Sequence, residues 1–314
     1  GGNTAVGTHA LKNNTASSNA AFGYKALYSN TTGVCNTAIG GEAGMSMTGQ
    51  HNTAVGWYSM RAGAGGTYNT AIGKQSLYVN TGSHNNAHGY LSLYNNSSAD
   101  NNTAYGSYSS YLNTTGSGQA AFGLGALKST TTAHYNTAVG FYALCTNTTG
   151  AGNVAVGAWA LKSNTTSGCS TAVGGCALCV NTAAAVTAVG YRAMHSNTTG
   201  NRNVAIGVQS LNNNTTGSSN TASGQYALML NTTGTHNTAS GDYSLAFNTT
   251  GIYNTAVGYY ALKANTTSCK NTAIGYHAGS ANTTGIQNTF LGYGANTSCS
   301  SHCNQIVIGY GATG

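Results

Sequence analysis

The chain has no proline in 314 residues, only three acidic side chains and only two tryptophans. Charged residues make up 4% of it, against roughly a quarter in ordinary soluble domains. Each scarcity removes a class of function. Glu42, Asp100 and Asp242 stand far apart in sequence, so a paired-carboxylate acid-base site or an oxygen-rich metal cage is disfavoured. The net charge of +7 comes from single Lys and Arg residues spread along the chain. Nucleic-acid binders gather such residues in runs or on one face, so nucleic acid is not an expected partner. No apolar run approaches the roughly 20 residues of a membrane-spanning helix, and membrane insertion is not expected.

What is present is a repeat. The last glycine of an Asn-Thr-Ala-Val-Gly motif recurs 19 times between Gly7 and Gly309, with fourteen spacings of 17 residues and four of 16. With that glycine as position 0, the unit reads N-T-A-V-G-x-x-A-L-x-x-N-T-T-G-x-x. Position −1 is mostly branched or aromatic, as in Val6, Phe22 and Ile39, and position +4 mostly Leu, as in Leu27 and Leu127. Positions −2 and +3 are small, as in Ala38 and Ala126.

Seventeen residues are too few for a helical hairpin repeat, which takes about 33. One coil of a β-solenoid fits. The expected fold is therefore all-β: a parallel β-solenoid, or β-roll, of about 19 coils of 16–17 residues, continuous over residues 1–314. Alternation within Thr-Ala-Val-Gly sends Thr and Val to one face and Ala to the other. The Ala-Leu segment repeats the small-large pattern, giving two short strands per coil. The expectation is that the Val and Leu columns meet inside and the Ala columns lie outside, with Asn-Thr-Thr-Gly forming a turn.

These residues resemble the head repeats of trimeric autotransporter adhesins. The likeness rests on Asn3-Thr4-Ala5-Val6-Gly7, Asn203-Val204-Ala205-Ile206-Gly207 and Asn271-Thr272-Ala273-Ile274-Gly275. The arrays are also similar to those of bacterial and phage tail-fibre-type proteins. The resemblance implies a left-handed coil, association in threes and a place on a cell or virion surface. It covers the whole chain and specifies architecture more than biochemical role.

Other features are weighed against the repeat. Gly66 to Gln75 imitates a phosphate loop, but its glycine spacing is wrong and it straddles a repeat boundary. Cys176 and Cys179 form a CxxC without the strand-helix-strand context of redox enzymes. Cys299 and Cys303 are spaced for a local disulfide; free thiols and, with His302, a metal remain alternatives. Sequons recur at Asn30, Asn113, Asn147, Asn164, Asn197, Asn214, Asn231, Asn248, Asn265, Asn282 and Asn296, nearly always at +7. On an exported chain they would carry sugars along one edge. The Thr column at −3, including Thr37, Thr53 and Thr70, suggests ordered water and ice binding. Its assignment to the inward Val face opposes that reading.

Every notable residue falls on a repeat column, whereas an enzyme needs a singular constellation. The expectation is a non-enzymatic structural protein with no cofactor, forming an extracellular, cell-surface or virion fibre or adhesive spike. Its partner would be itself, as a homotrimer or an end-to-end filament, with covalent or environmental glycans as further partners. The alternative is a carbohydrate- or ice-binding solenoid module.

Overall fold

The computed structural model describes residues 1–314. It contains 19 three-residue strands and no helix, so no helix is long and apolar enough to cross a membrane. The chain is an all-β parallel solenoid, one strand per repeat, and divides into two compact units, Gly1–Ala158 and Trp159–Gly314.

The first unit holds β1 (Thr4–Val6) to β10 (Val154–Val156), each strand pairing in parallel with the next. The second holds β11 (Thr171–Val173) to β19 (Ile306–Ile308), paired in the same way. Registers follow the motif even across a 16-residue coil, where Thr37, Ala38 and Ile39 face Thr53, Ala54 and Val55. The missing residue comes out of the turn, as where Asn80-Thr81-Gly82 replaces Asn-Thr-Thr-Gly.

The motif glycine ends each strand for a steric reason. Gly140 has φ 138°, and a Cβ on it would lie 2.6 Å from the carbonyl carbon and oxygen of Gly157. No side chain fits there, so the column is glycine.

Two expectations are corrected. The Ala-Leu segment is not a strand. Positions +2 and +4 take left-handed backbone conformations, as at Lys25 (φ 52°) and Leu27 (φ 50°), which breaks strand alternation. Consecutive turns result: Ala26 N–H donates to Gly23 O and Asn30 N–H to Leu27 O. The left-over amides bond to neighbouring coils, Lys25 N–H to Thr8 O and Leu27 N–H to Ala43 O, both at 3.0 Å. Because alternation is broken, Ala26 and Leu27 both point inward and are fully buried.

The strand face is inverted as well. Ala at −2, as in Ala38, is completely buried, while the neighbouring Ile39 is 43% exposed. The coil is too narrow for branched side chains from both walls: Leu from +4 fills the space, leaving room for a methyl group opposite. The exceptions support this. Where +4 is Gly279, the −2 position of the next coil is Phe290, fully buried; a Cβ on Gly279 would touch the Phe290 ring at 2.6 Å. Where +4 is Gly44, Met47 takes the volume, its Cε 2.8 Å from where the Gly44 Cβ would be.

The rest of the interior is asparagine. The motif Asn at −4 accepts from the backbone of the next coil and donates across it: Asn36 N–H to Asn19 Oδ1 at 2.9 Å, and Asn19 Nδ2 to Gly33 O at 2.9 Å. The turn Asn at +7 forms a second ladder, with Asn30 Nδ2 donating to Asn14 Oδ1 and to Gly33 O, both at 2.8 Å. Two asparagines thus converge on one buried carbonyl, satisfying groups that would otherwise be costly to bury.

Candidate interaction surfaces

With Ala and Asn inside, the strands present positions −3 and −1 outward. In the first unit Ile72, Tyr105, Phe122 and Val139 are each 38–41% exposed. In the second, Ile206, Ile274 and Leu291 are 43–46% exposed. Between these and the coil edge runs the Thr column, half-buried at Thr37, Thr53 and Thr70 and exposed at Thr221 and Thr238. No Lys, Arg, Asp or Glu occurs at −3 or −1 in any coil. The result in each unit is an uncharged sheet face of alternating hydroxyl and apolar rows. The Thr ladder is therefore outward, contrary to its expected burial with Val.

The sequon edge is different from what its composition suggests. Asn30, Asn113, Asn147, Asn164, Asn197, Asn214, Asn231, Asn248, Asn265 and Asn282 are fully buried. Their amides are engaged: Asn214 Nδ2 donates to Asn197 Oδ1 at 2.7 Å and to Gly217 O at 2.9 Å. A glycosidic bond at such a nitrogen would remove one of its two N–H donors, break one of these bonds and push sugar into the interior, so a row of N-linked glycans on these ten has no place in this fold. Asn296, at +4 rather than +7, is half-buried. Its Oδ1 accepts from Ala281 N–H at 3.0 Å and its Nδ2 donates to Ser280 Oγ at 3.1 Å. The turn threonines lie outside but are tied down, Thr114 Oγ1 donating to Thr131 O and Thr198 Oγ1 to Thr215 O, both at 2.9 Å.

Cys299 and Cys303 are free thiols in this structure, both exposed. Each turns to Ser301: Cys299 Sγ lies 3.4 Å from Ser301 Oγ, and Cys303 Sγ donates to Ser301 O at 3.5 Å. The bond to Ser301 Oγ holds the Cys299 thiol below its ordinary pKa. No three His, Cys, Asp or Glu side chains come together as a metal site, so His302 does not complete one. An open depression of about 330 Å³ is lined by residues that include Thr182, Thr199 and Arg202. It holds no acid-base pair.

Tyrosines recur at +1 or +2, just after the motif glycine. The structure stacks them: Tyr259, Tyr276, Tyr293 and Tyr310 follow one another at centroid distances of 5.4, 4.9 and 5.0 Å with interplanar angles of 18° or less. Hydrogen bonding with Tyr260, and then burial, push the Tyr259 phenol up to about 12. The inward Asn ladder at −4 was not read from the sequence as an interior feature. Its signal was present, in that Asn or Gln occupies that column in nearly every coil although a turn would accept Asp or Ser equally well.

No protein-family model matches the chain, and no curated protein matches it significantly.

Proposed function

We propose that this chain is a non-enzymatic structural protein whose solenoid units associate through their outward sheet faces to build an extracellular or cell-surface fibre, as a trimer or filament. The observation that carries this reading is the uncharged −3/−1 face. Branched and aromatic side chains occupy the outer row of the sheet in both units, where a solitary soluble protein would place charge. Burying such a face between copies removes apolar area from water, at about 25 cal/mol per Å². Threonines alternating with it supply hydroxyls that pair across an interface. The repeat supports the reading further: each coil offers its neighbour the same surface, and none carries a singular arrangement of acid, base and nucleophile.

Sedimentation and electron microscopy of the full chain test this. Multimers or fibres that dissociate when Phe122 and Val139 are replaced by Lys are expected; a wild-type chain that stays monomeric at high concentration would remove the proposal.

A second reading, ice binding, gains support from the outward position of the Thr column. Regular Thr rows beside apolar rows on a flat sheet are the kind of surface that holds ordered water. An ice-recrystallisation assay separates the two, because inhibition by a monomer favours the second reading.

A further inference from the structure

In the unit Gly1–Ala158 every cationic side chain stands on one side of the coil. Its five are Lys12, Lys25, Arg61, Lys74 and Lys128, and all occupy positions +1, +2 or +5, three columns of the seventeen. None lies on the uncharged sheet face.

Each is carried over a tyrosine ring. Lys12 Nζ is 5.7 Å from the Tyr28 centroid and Lys25 Nζ 5.1 Å from that of Tyr24. The Arg61 guanidinium is 4.9 Å from Tyr58, Lys74 Nζ 5.9 Å from Tyr90, and Lys128 Nζ 5.5 Å from Tyr108. Of the unit's two acids, Glu42 shares these columns and is spent on Arg61, their ion pair closing at 2.5 Å; Asp100 lies elsewhere on the coil. Four cations are left outside any ion pair. Between them Tyr24, Trp57 and Tyr90 are 40–50% exposed, giving apolar rings beside the charge.

We infer that this face of Gly1–Ala158 docks an acidic polysaccharide, an extended hydroxyl-rich polymer carrying carboxylates at intervals. Lysine ammonium groups meet the carboxylates. Exposed Tyr and Trp rings cover the C–H faces of the sugars, and phenolic O–H groups donate to their hydroxyls.

A nucleic acid fits less well. Tyr78, Tyr94 and Tyr111 are stacked on one another at 5.0 and 5.4 Å, so their faces are covered and offer no platform for bases. The inference uses columns separate from those that join copies, so it stands or falls independently of the fibre reading.

The test is retention of the full chain on immobilised polygalacturonate, on its fully methyl-esterified form and on oligothymidylate. The account expects retention on polygalacturonate that weakens as salt rises, little on the ester, and a loss of roughly tenfold or more in the triple variant Lys25→Gln/Lys74→Gln/Lys128→Gln. Lys74→Gln alone, at an exposed position, serves if the triple variant loses its fold. Arg202→Gln/Lys270→Gln, outside these columns, should retain binding. No retention, equal retention on the ester, tighter retention on oligothymidylate, or an equal loss in the Arg202/Lys270 variant would overturn the inference.

Discussion

Asn36 donates its backbone N–H to the side-chain oxygen of Asn19, seventeen residues earlier, at 2.9 Å. The contact repeats through most coils of each unit, lapsing where Gln119, Ser170 and Val186 take the column, so the stacking of coils is a polar zipper as much as an apolar one. This accounts for a solenoid whose composition is only 40% hydrophobic.

The zipper predicts which asparagines matter. Asn237 is 1% exposed; its Oδ1 accepts Asn254 N–H at 3.0 Å and its Nδ2 donates to Gly251 O at 2.8 Å. Asn237→Ala leaves the Asn254 amide buried without a partner and should cost about 2–3 kcal/mol in denaturant unfolding. Thr238→Ala, one residue on and exposed, should change stability by no more than about 0.5 kcal/mol.

The interior volume predicts a compensating pair. Phe290→Ala opens a cavity beside Gly279 and should destabilise by about 3–5 kcal/mol. Gly279 has φ 63°, the conformation that Leu takes at this column elsewhere, as at Leu262 (φ 48°). Gly279→Leu should therefore clash with Phe290 in the native background and recover most of the loss in Phe290→Ala. Additive destabilisation in a double-mutant cycle would contradict the filling argument.

The same pair explains what could and could not be read beforehand. The period, the coil and the parallel stacking were legible because a glycine that tolerates no Cβ, such as Gly140, leaves an unmistakable column. Alternation grouped Thr with Val and Ala with Gly correctly. It could not say which group faces inward; that is set by cross-coil volume, visible only once Leu262 and Ala273 are known to share an interior. The second strand was misread because left-handed conformations at Lys25 and Leu27 leave no mark in residue type, both being ordinary strand or helix residues. Asn214 and its equivalents looked like exposed sequons because Asn-Thr-Thr-Gly is a turn, yet the turn is held by that Asn folding inward. Among the surface features, the tyrosine recurrence was legible, whereas the one-sided placement of the cations of Gly1–Ala158 needed the column geometry to acquire meaning.

Two groups give the stability a pH dependence. Burial, and then the nearby Arg192 charge, lower the pKa of His195 below its ordinary 6.5. The folded state therefore prefers the neutral ring. That contribution is complete above pH 6.5 and is lost as pH falls from there through the depressed folded-state value. At the other extreme, Tyr259 is raised from 10.0 to about 12, so its contribution is complete below pH 10.0 and is lost as pH rises towards about 12. Melting temperature against pH should fall on both flanks, with His195→Gln flattening the acid one and Tyr259→Phe the alkaline one. A flank unmoved by its substitution would contradict the assignment.

The inverted strand is tested most directly by thermal unfolding of two adjacent substitutions in β5 (Thr70–Ile72), Ala71→Lys and Ile72→Lys. Ala71 is completely buried and Ile72 is 39% exposed. Lysine at 71 places an unpaired charge in the coil interior and should abolish the cooperative transition, while lysine at 72 should keep it and weaken only association between copies. The opposite order, with the Ile72 variant unfolded and the Ala71 variant intact, would contradict the account.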